Sequence, residues 1–319
     1  MRFRHSDMMG VMNNQLEMRH LRLFLAVAET LHVGRAANKL GVAQPNLSQQ
    51  IGRIERMVGH PLFKRHPKGV QLTLTGVFLQ RRAASLEQNL SATIETARKI
   101  GRGEAGNLVI GFCGSAMMNR ISTPIGDFRR AYPDVALELR ELHVNQQRSQ
   151  LAEGMLDICF MRDGEGMDGL SMKTLLREPY VAILSKQHPL AAEKRIRPES
   201  LAKEPFVFFP PTLAKLAYER TIDMCISHGF KPNIVQEAPQ WTTMAMLIGA
   251  GLGVSLAPRS VAAIPVPGVV FIPVISQART SIDAAFRSEN SNASVKLLLS
   301  GVLKHMKTHG DEPSGVPLS

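Results

Sequence analysis

Cysteine is scarce in this chain of 319 residues, and its three cysteines lie far apart. Cys113, Cys159 and Cys225 are odd in number and lack C-x-x-C spacing, which excludes a disulfide framework and a thiolate zinc site. Two interpretations of these thiols remain: apolar side chains buried in a reducing cytosol, or a redox sensor. We favour buried thiols and expect a cytoplasmic protein.

Long apolar runs are also missing. The most apolar stretch of the later sequence, Met244–Pro258, is interrupted by three glycines and is shorter than the roughly 18 residues that a membrane helix requires. The N-terminal stretch lacks the apolar region of a secretory signal. We expect no membrane span and a disordered extension over residues 1–17. Several methionines are alternative starts: Met1, Met9, Met12 and Met18.

Catalytic motifs are absent as well. The sequence contains no G-x-S-x-G, no P-loop and no H-E-x-x-H, and its "GAGLG" follows a helix instead of a strand. Its ten histidines show no metal-ligand spacing. We therefore predict that the protein is not an enzyme and has no catalytic residues, no metal and no cofactor.

What the sequence does have is a basic first third. Residues 1–104 hold 16 Lys and Arg against 7 Asp and Glu, and the remainder holds 22 against 20, so +9 of the net charge of +11 lies in the first third. A basic module beside a nearly neutral remainder indicates a polyanion partner for one part and another task for the rest. A basic surface that is merely solvated is the alternative.

The basic module begins with a helix-turn-helix pattern. The apolar residues of "MRHLRLFLAVAETL" recur at helical spacing. Gly34 is predicted to cap a second short helix that Gly41 ends, and Pro45 is predicted to start a third. The segment "PLFKRHPKGVQLT" then predicts a β-hairpin wing, with strands around residues 62–65 and 70–73.

Polar side chains at the start of the third helix suit the major groove of DNA, where amide and hydroxyl groups read base edges and cations contact phosphates. The predicted DNA-binding residues are Gln44, Pro45, Asn46, Ser48, Gln49, Arg53, Arg65 and Lys68, with Lys64 and His66 adding charge. The alternative is a three-helix protein-interaction bundle with a solvated basic rim.

A long proline-free stretch, Thr75–Ile100, carries apolar residues at spacings of four and three, typical of a helix that needs a partner. At about 1.5 Å per residue it extends roughly 39 Å, too far for the preceding module to cover. We predict dimerisation through Leu79, Ala83, Leu86 and Leu90; packing on its own chain is the alternative.

Beyond Gly106, strands and helices alternate, which predicts an α/β fold. The alternation halts and resumes near Pro179, which suggests two lobes with a cleft between them. The strand "LVIGF" runs into Cys113, Gly114 and Ser115 where a helix begins, a place where backbone N–H groups and a hydroxyl bind anions. A plain N-cap role for Ser115 is the alternative.

The segment "MRHLRLFLAVAETLHVGRAANKLGVAQPNLSQQIGRIERMVGHPLFKRHPKGVQLTLTGVFL" resembles the winged helix-turn-helix of LysR-type transcriptional regulators. The resemblance continues through "QEAPQWTTMAMLIGAGLGVSLAPRS" and extends from Met18 to about Met306. It implies an all-α winged helix-turn-helix, a long dimerisation helix, and an α/β effector domain of two Rossmann-like lobes like that of periplasmic binding proteins. It also implies a homotetramer that binds an imperfect inverted repeat of double-stranded DNA, contacts RNA polymerase and responds to a small molecule.

The implied domains are residues 18–75 for DNA binding, 76–106 for the linker helix and hinge, and 107–306 for the effector domain. Lobe I comprises about 107–178 and 273–306, lobe II about 179–272, and residues 307–319 form a disordered tail.

By position, the resemblance implies an effector site of Ser115, Val144, Arg162, Phe209 and Pro210, with Phe160 as a further apolar wall. Val144 stands where the family often has Thr, and His143 beside it is expected to supply the missing polar group. Arg162 is expected to bind an effector carboxylate. The alternative is that Arg162 forms an ion pair at the protein surface. Core packing is the alternative role for Phe160 and Phe209.

Two further departures bear on the operator sequence: Gln49 replaces a common Arg, and Gly34 replaces a Thr or Ser. Functions of other classes also remain: a small-molecule sensor whose basic front contacts protein or membrane, and an architectural DNA binder without an effector.

Overall fold

The computed structural model describes residues 15–166, 168–263 and 265–309. By its internal contacts the chain divides between Arg98 and Lys99 into two compact units. Most of the predicted N-terminal extension and C-terminal tail lies outside the described residues. The last helix continues to His309, three residues past the predicted end of the effector domain. Among the described residues, none of the helices is both long and apolar enough to cross a membrane.

The first unit contains three short helices, a two-stranded hairpin and most of a long helix. They are α1 (Met18–Thr30), α2 (Val33–Leu40), α3 (Gln44–Val58), β1 (Phe63–His66), β2 (Gly69–Leu72) and α4 (Leu74–Arg102). This order confirms the predicted winged helix-turn-helix followed by a long helix.

The core of this unit forms where the apolar faces of α1, α2 and α3 meet. Phe24 and Ile54 are fully buried there, and the Phe24 ring lies 5.3 Å from the ring of Phe63 on the wing. The carboxylate of Glu55 accepts hydrogen bonds from the backbone N–H groups of Leu62 and Phe63, at 2.8 and 3.1 Å. The wing is thereby fixed to the third helix.

Two helix starts differ from the prediction. His32, and not Gly34, is the N-cap of α2: its Nδ1 accepts from the Arg35 N–H, and Gly34 lies inside the helix. An imidazole nitrogen with a free lone pair can cap as a hydroxyl does, which the sequence pattern does not suggest. Pro45 is the second residue of α3, after Gln44.

Gly69 in the wing is required by its surroundings. Its φ of +137° is unfavourable for other residues, and a Cβ there would lie 2.3 Å from the carbonyl oxygen of Leu31. The neighbouring Val70 N–H donates to this same carbonyl at 2.9 Å. The turn of the hairpin therefore meets the end of α1 through a backbone contact that leaves no room for a side chain at Gly69.

The apolar stripe of α4 divides between two faces. Ala83 is fully buried and Leu79 packs against the core of the first unit, so these two residues contact their own chain. Leu86 and Leu90 are 52% and 37% exposed. The prediction of a partner-facing residue is therefore wrong for Ala83, because no surface is left there for a partner to cover.

The second unit is an α/β structure of two lobes. Lobe I contains a five-stranded sheet of order β4-β3-β5-β12-β6. Its elements are β3 (Gly106–Phe112), α5 (Gly114–Ala116), a π-helical turn (Met117–Ile121), α6 (Ser122–Ala131), β4 (Val135–Glu141), α7 (Val144–Ala152), β5 (Ile158–Arg162), β6 (Leu170–Glu178), β12 (Thr280–Arg287) and α10 (Ala293–His309).

Lobe II contains a three-stranded antiparallel sheet of order β10-β7-β11 and a parallel pair β8-β9, joined by a bridge from Phe206 to Val254. Its elements are β7 (Tyr180–Ser185), a 3-10 turn (Pro198–Leu201), β8 (Pro205–Phe208), α8 (Lys215–Ser227), β9 (Asn233–Glu237), α9 (Trp241–Gly249), β10 (Ser255–Pro258), a second 3-10 turn (Arg259–Ala263) and β11 (Val269–Pro273).

The chain crosses between the lobes twice. The first crossover is Pro179, between β6 and β7. The second spans residues 274–279, later than the predicted border, because β11 stays paired with β7 through Pro273. The sequence patterns missed β6, β12 and α10. The strand β12 runs antiparallel to both of its neighbours and is buried over most of its length.

Candidate functional site

The face expected to read DNA is exposed along the start of α3. Leu47, Ile51 and Ile54 point into the core, which leaves the intervening polar residues toward solvent. The exposed residues are Gln44, Pro45, Asn46, Ser48 and Gln49; Arg53, one turn further on, is half-buried. This alternation follows from the helical period, and it leaves the amide and hydroxyl groups on the solvent-exposed side of the helix.

The wing adds cations that are not neutralised. Lys64, Arg65 and Lys68 are exposed on β1 and the hairpin turn, and within the described part of the chain no carboxylate lies in ion-pair distance of them. By contrast, Lys39 on α2 pairs with Glu29 at 2.8 Å. Unpaired cations on a projecting hairpin are suited to contact phosphates.

A cavity of about 350 Å³ lies between the lobes of the second unit. It collects five of the six predicted effector residues: Ser115, His143, Val144, Arg162 and Phe209. Pro210 does not line it. Phe160 is fully buried in the core of lobe I, so core packing is its role.

The sheet order of lobe I explains why these residues meet. The strand β3 lies between β4 and β5 and is parallel to both, so the carboxyl ends of all three open at one edge. Ser115, His143 and Arg162 follow or end these strands. Such a switch point is where open α/β sheets bind ligands.

Lobe II supplies the other wall, most of which the sequence patterns did not predict. Its unpredicted lining residues are Leu213, Ala214, Ala217, Pro239, Gln240, Trp241 and Met244. Only one weak feature of the sequence could have indicated this wall. Trp241, the only tryptophan of the chain, stands at the start of α9, the helix that follows the parallel strand β9.

Arg162 is buried and fully engaged by protein groups. Its Nη1 lies 2.9 Å from a carboxylate oxygen of Glu178, and its Nε donates to the Ser115 hydroxyl at 3.1 Å. Further bonds go to Thr280, Ser260 and the Ser115 carbonyl. The carboxylate partner of Arg162 is thus Glu178, in a buried ion pair and not at the surface.

Ser115 is not the N-cap of its helix, because Cys113 holds that position. The Ser115 hydroxyl accepts from Arg162, and its own proton is left to donate elsewhere. The Cys113 sulfur lies 3.5 Å from this hydroxyl. Arg162 therefore orients Ser115 at the cavity wall.

Asp163 forms a contact between the two lobes. The sequence patterns did not predict a role for this residue. It is 2% exposed and has a positive φ of 47°. Its carboxylate accepts from Arg220 of lobe II at 2.8 Å and from Thr280 and Ser281 at the start of β12 in lobe I. The residue therefore links lobe I to lobe II.

The thiols are consistent with the buried interpretation at two of three positions. Burial raises the pKa of Cys159 and of Cys225 to about 12, so both remain protonated and unreactive near neutral pH. Cys113 is half-buried at the cavity wall. Among the described residues, no group of His, Cys, Asp and Glu is placed to hold a metal ion.

The sequence matches two family models that together cover most of the chain. Residues 18–77 match the bacterial regulatory helix-turn-helix protein of the lysR family, and residues 101–307 match the LysR substrate binding domain. The match boundaries agree with the winged helix-turn-helix and the two-lobed unit.

Relatives of the same kind align over most of the chain. The HTH-type transcriptional regulator AlsR of Bacillus subtilis is 39% identical over 77% of this chain and 81% of its own. The HTH-type transcriptional regulator BudR of Raoultella terrigena is 34% identical over 89% of this chain and 99% of its own.

Among solved structures, that of CbnR, a LysR family transcriptional regulator, has a TM-score of 0.80 at 23% identity and covers 90% of this chain and 100% of CbnR. That likeness shows the fold. The family models and relatives confirm the resemblance, and they show a regulator with a helix-turn-helix DNA-binding domain and an effector-binding domain, not an enzyme. The chain belongs to the LysR family of HTH-type transcriptional regulators.

Proposed function

We propose that this regulator binds an imperfect inverted repeat through its α3 face and wing, and that a small carboxylate-bearing effector in the cavity between its lobes controls that binding. The protein acts in the cytoplasm as a dimer formed through α4, further assembled into a tetramer, and it contacts RNA polymerase at the promoter. The cavity is the observation that carries the effector part of this proposal.

The walls of the cavity favour an anion. Four helical segments begin at it, two in each lobe, and the N-cap residue of each one lines it: Cys113, His143, Ala214 and Gln240. Backbone N–H groups at helix starts are not used within the helix and carry partial positive charge. The segment from Gly114 continues through the π-helical turn into α6, so it is a full helix.

Side chains around the cavity refine the effector class. The Ser115 hydroxyl, held by Arg162, has a proton to donate to a carboxylate oxygen. Phe209, Trp241 and Met244 form an apolar wall, which suits the carbon skeleton of the acid. Among the described residues that line the cavity, the one carboxylate is that of Glu141, an exposed residue. A small acid with an apolar body fits this arrangement.

Control of DNA binding follows from the two-lobed arrangement. An effector that contacts both lobes binds one arrangement of the lobes more tightly than another and so stabilises that arrangement. It changes operator binding only to the extent that its affinities for the two arrangements differ. Asp163 and Arg220 form an existing contact between the lobes that such a change would break or tighten.

The proposal is tested by footprinting the protein on the DNA beside its own gene, with and without a panel of small carboxylic acids. Because Trp241 is the only tryptophan and lines the cavity, its fluorescence reports effector binding in the same samples. We expect one acid to change both the tryptophan emission and the pattern of protected DNA. The Ser115→Ala variant should bind that acid with an affinity lower by roughly 10- to 100-fold. If the neutral amide of the same acid binds equally well, the carboxylate part of the proposal is wrong.

Base reading by Ser48 can be tested separately. Ser48→Ala should weaken binding to the operator by about 1–3 kcal/mol, because a hydrogen bond to a base edge is lost, and should leave binding to random DNA unchanged. Ser91→Ala, an exposed serine on α4, is the matched control. Affinities are measured by fluorescence anisotropy at one fixed salt concentration. Equal losses on operator and random DNA would show that Ser48 contacts only the phosphate backbone.

A further inference from the structure

A second cavity, which we call the hinge cavity, lies against both crossovers between the lobes. Its volume is about 570 Å³. Pro179 of the first crossover lines it with the adjoining residues Tyr180 and Val181 of β7, and residues 274–277 and Arg279 of the second crossover line it with Pro273 of β11. None of the described residues lines both this cavity and the effector cavity. It is therefore a separate concave surface at the point where the lobes are joined.

The hinge cavity is strongly basic. Its charged or titratable lining residues are Arg195, His228, Arg259 and Arg279, along with Tyr180. Among the described residues that line it, none is an Asp or Glu. Three guanidinium groups facing one space repel each other unless an anion is present, so the local field favours a multiply charged anion.

Two of these side chains are held in place by backbone carbonyls. Nη1 of Arg279 donates to the carbonyl oxygens of Ser276 and Ala278, at 3.0 and 2.9 Å. Nδ1 of His228 lies 2.8 Å from the Met224 carbonyl oxygen, so this nitrogen carries the proton and Nε2 is the ring nitrogen available to a ligand. Both groups are positioned before any ligand arrives.

The other two arginines have donors to spare. Within the described part of the chain, the guanidinium groups of Arg195 and Arg259 have no hydrogen-bond or ion-pair partner, whereas the nearby Arg197 lies 3.7 Å from Glu199. A guanidinium presents parallel N–H donors that match two oxygens of a phosphate. Arg195 and Arg259 thus retain the donors that phosphate recognition uses.

We propose that the hinge cavity is a second ligand site that takes a phosphate-bearing small molecule. The three arginines bind the phosphate oxygens, and the volume, which is far larger than one phosphate ion needs, accommodates the organic part. The apolar residues Val181, Val274 and Ile275 line the space left for that part.

The site is linked to the effector cavity by a continuous chain of contacts. Arg259 donates its backbone N–H to the Pro179 carbonyl at 3.0 Å, and the next residue, Ser260, donates to the Glu178 carboxylate. Glu178 pairs with Arg162, which holds Ser115 at the effector cavity. A ligand on Arg259 therefore acts on the segment that anchors the Arg162 network.

The test is a calorimetric titration of the full-length protein with sodium pyrophosphate, at constant ionic strength so that screening does not change. We expect saturable binding of one pyrophosphate per protomer. The double variant Arg195→Gln/Arg279→Gln changes two exposed side chains, and it should weaken binding by at least roughly 10-fold, since each lost charged hydrogen bond contributes about that factor or more. Arg197→Gln, an exposed arginine outside the cavity, is the matched control and should bind within about twofold of the wild type.

Two further variants distinguish this site from other basic or anion-binding surfaces. Lys64→Gln/Arg65→Gln/Lys68→Gln removes the charge of the wing, and Ser115→Ala removes the hydroxyl at the effector cavity; both should retain pyrophosphate binding. The proposal is overturned if no saturable binding occurs, if the Arg195/Arg279 variant binds like the wild type, or if either further variant abolishes binding. None of these results depends on the identity of the effector, so the proposed function is tested independently.

Discussion

Replacing Arg162 with Ala is expected to lower the stability of the effector unit by about 3–5 kcal/mol, because the partner carboxylate of Glu178 is then left buried without its counter-charge. Both side chains are nearly inaccessible, at 5% and 7% exposed. For a unit of about 200 residues, this loss corresponds to a fall in Tm of roughly 6–20 °C. Differential scanning calorimetry of the full-length protein measures it.

The matched control for this change is Arg197→Ala. Arg197 pairs with Glu199 on the surface, where ion pairs contribute less than about 1 kcal/mol. The double variant Arg162→Ala/Glu178→Ala should lose less stability than the two single changes summed, since removing both charges leaves neither one unpaired. If Arg162→Ala and Arg197→Ala lower Tm equally, the Arg162 network does not hold the unit together.

Leu86→Glu together with Leu90→Glu is expected to convert the dimer that we propose to form through α4 into monomers. Both leucines are exposed on α4, and each contributes about 1.5–3 kcal/mol when a partner helix buries it. Placing carboxylates there removes these contacts in both protomers and adds charge repulsion. The dissociation constant of the dimer should rise by several orders of magnitude, as measured by sedimentation equilibrium.

The control for this change adds the same charges on another face of the helix. Gln88→Glu with Ala92→Glu keeps the spacing of four residues and is displaced by two positions, which turns the new carboxylates by roughly 200° about the helix axis. This variant should stay dimeric and bind the operator like the wild type. A dimer that survives Leu86→Glu/Leu90→Glu would place the dimer contact away from these residues.

Local patterns predicted the order of elements well. Phe24 and Ile54 lie on helical stripes and form the core of the first unit, and the strand containing "LVIGF" ends at Phe112, directly before Cys113, as the pattern indicates. The strand β12 was missed because "TSIDAAFR" carries small and polar residues. Its Asp283 is buried and accepts a hydrogen bond from the Ser281 hydroxyl. A residue-propensity pattern does not reveal such a buried carboxylate.

The candidate site was predictable only in part. Ser115, His143 and Arg162 follow three strands, so their approach to one edge could be inferred once the strands were taken as parallel. Trp241 and Gln240 could not be placed there, because they reach the cavity through the packing of lobe II against lobe I. The partner of Arg162 was also misjudged, since Glu178 lies sixteen residues further along the chain with no pattern connecting the two.

The sequence by itself determined the type of module, the order of the helices and strands, the uneven charge and the absence of enzyme motifs, because these depend on local periodicity and residue chemistry. The tertiary structure decided which side chains share a cavity and which charges are already paired. It assigned Ala83 to its own core, engaged Arg162 with Glu178 and gathered three arginines at the hinge. These outcomes depend on contacts between residues distant in the chain, and the free energy of such contacts is set by burial and by the neighbouring charges that only the folded chain brings together.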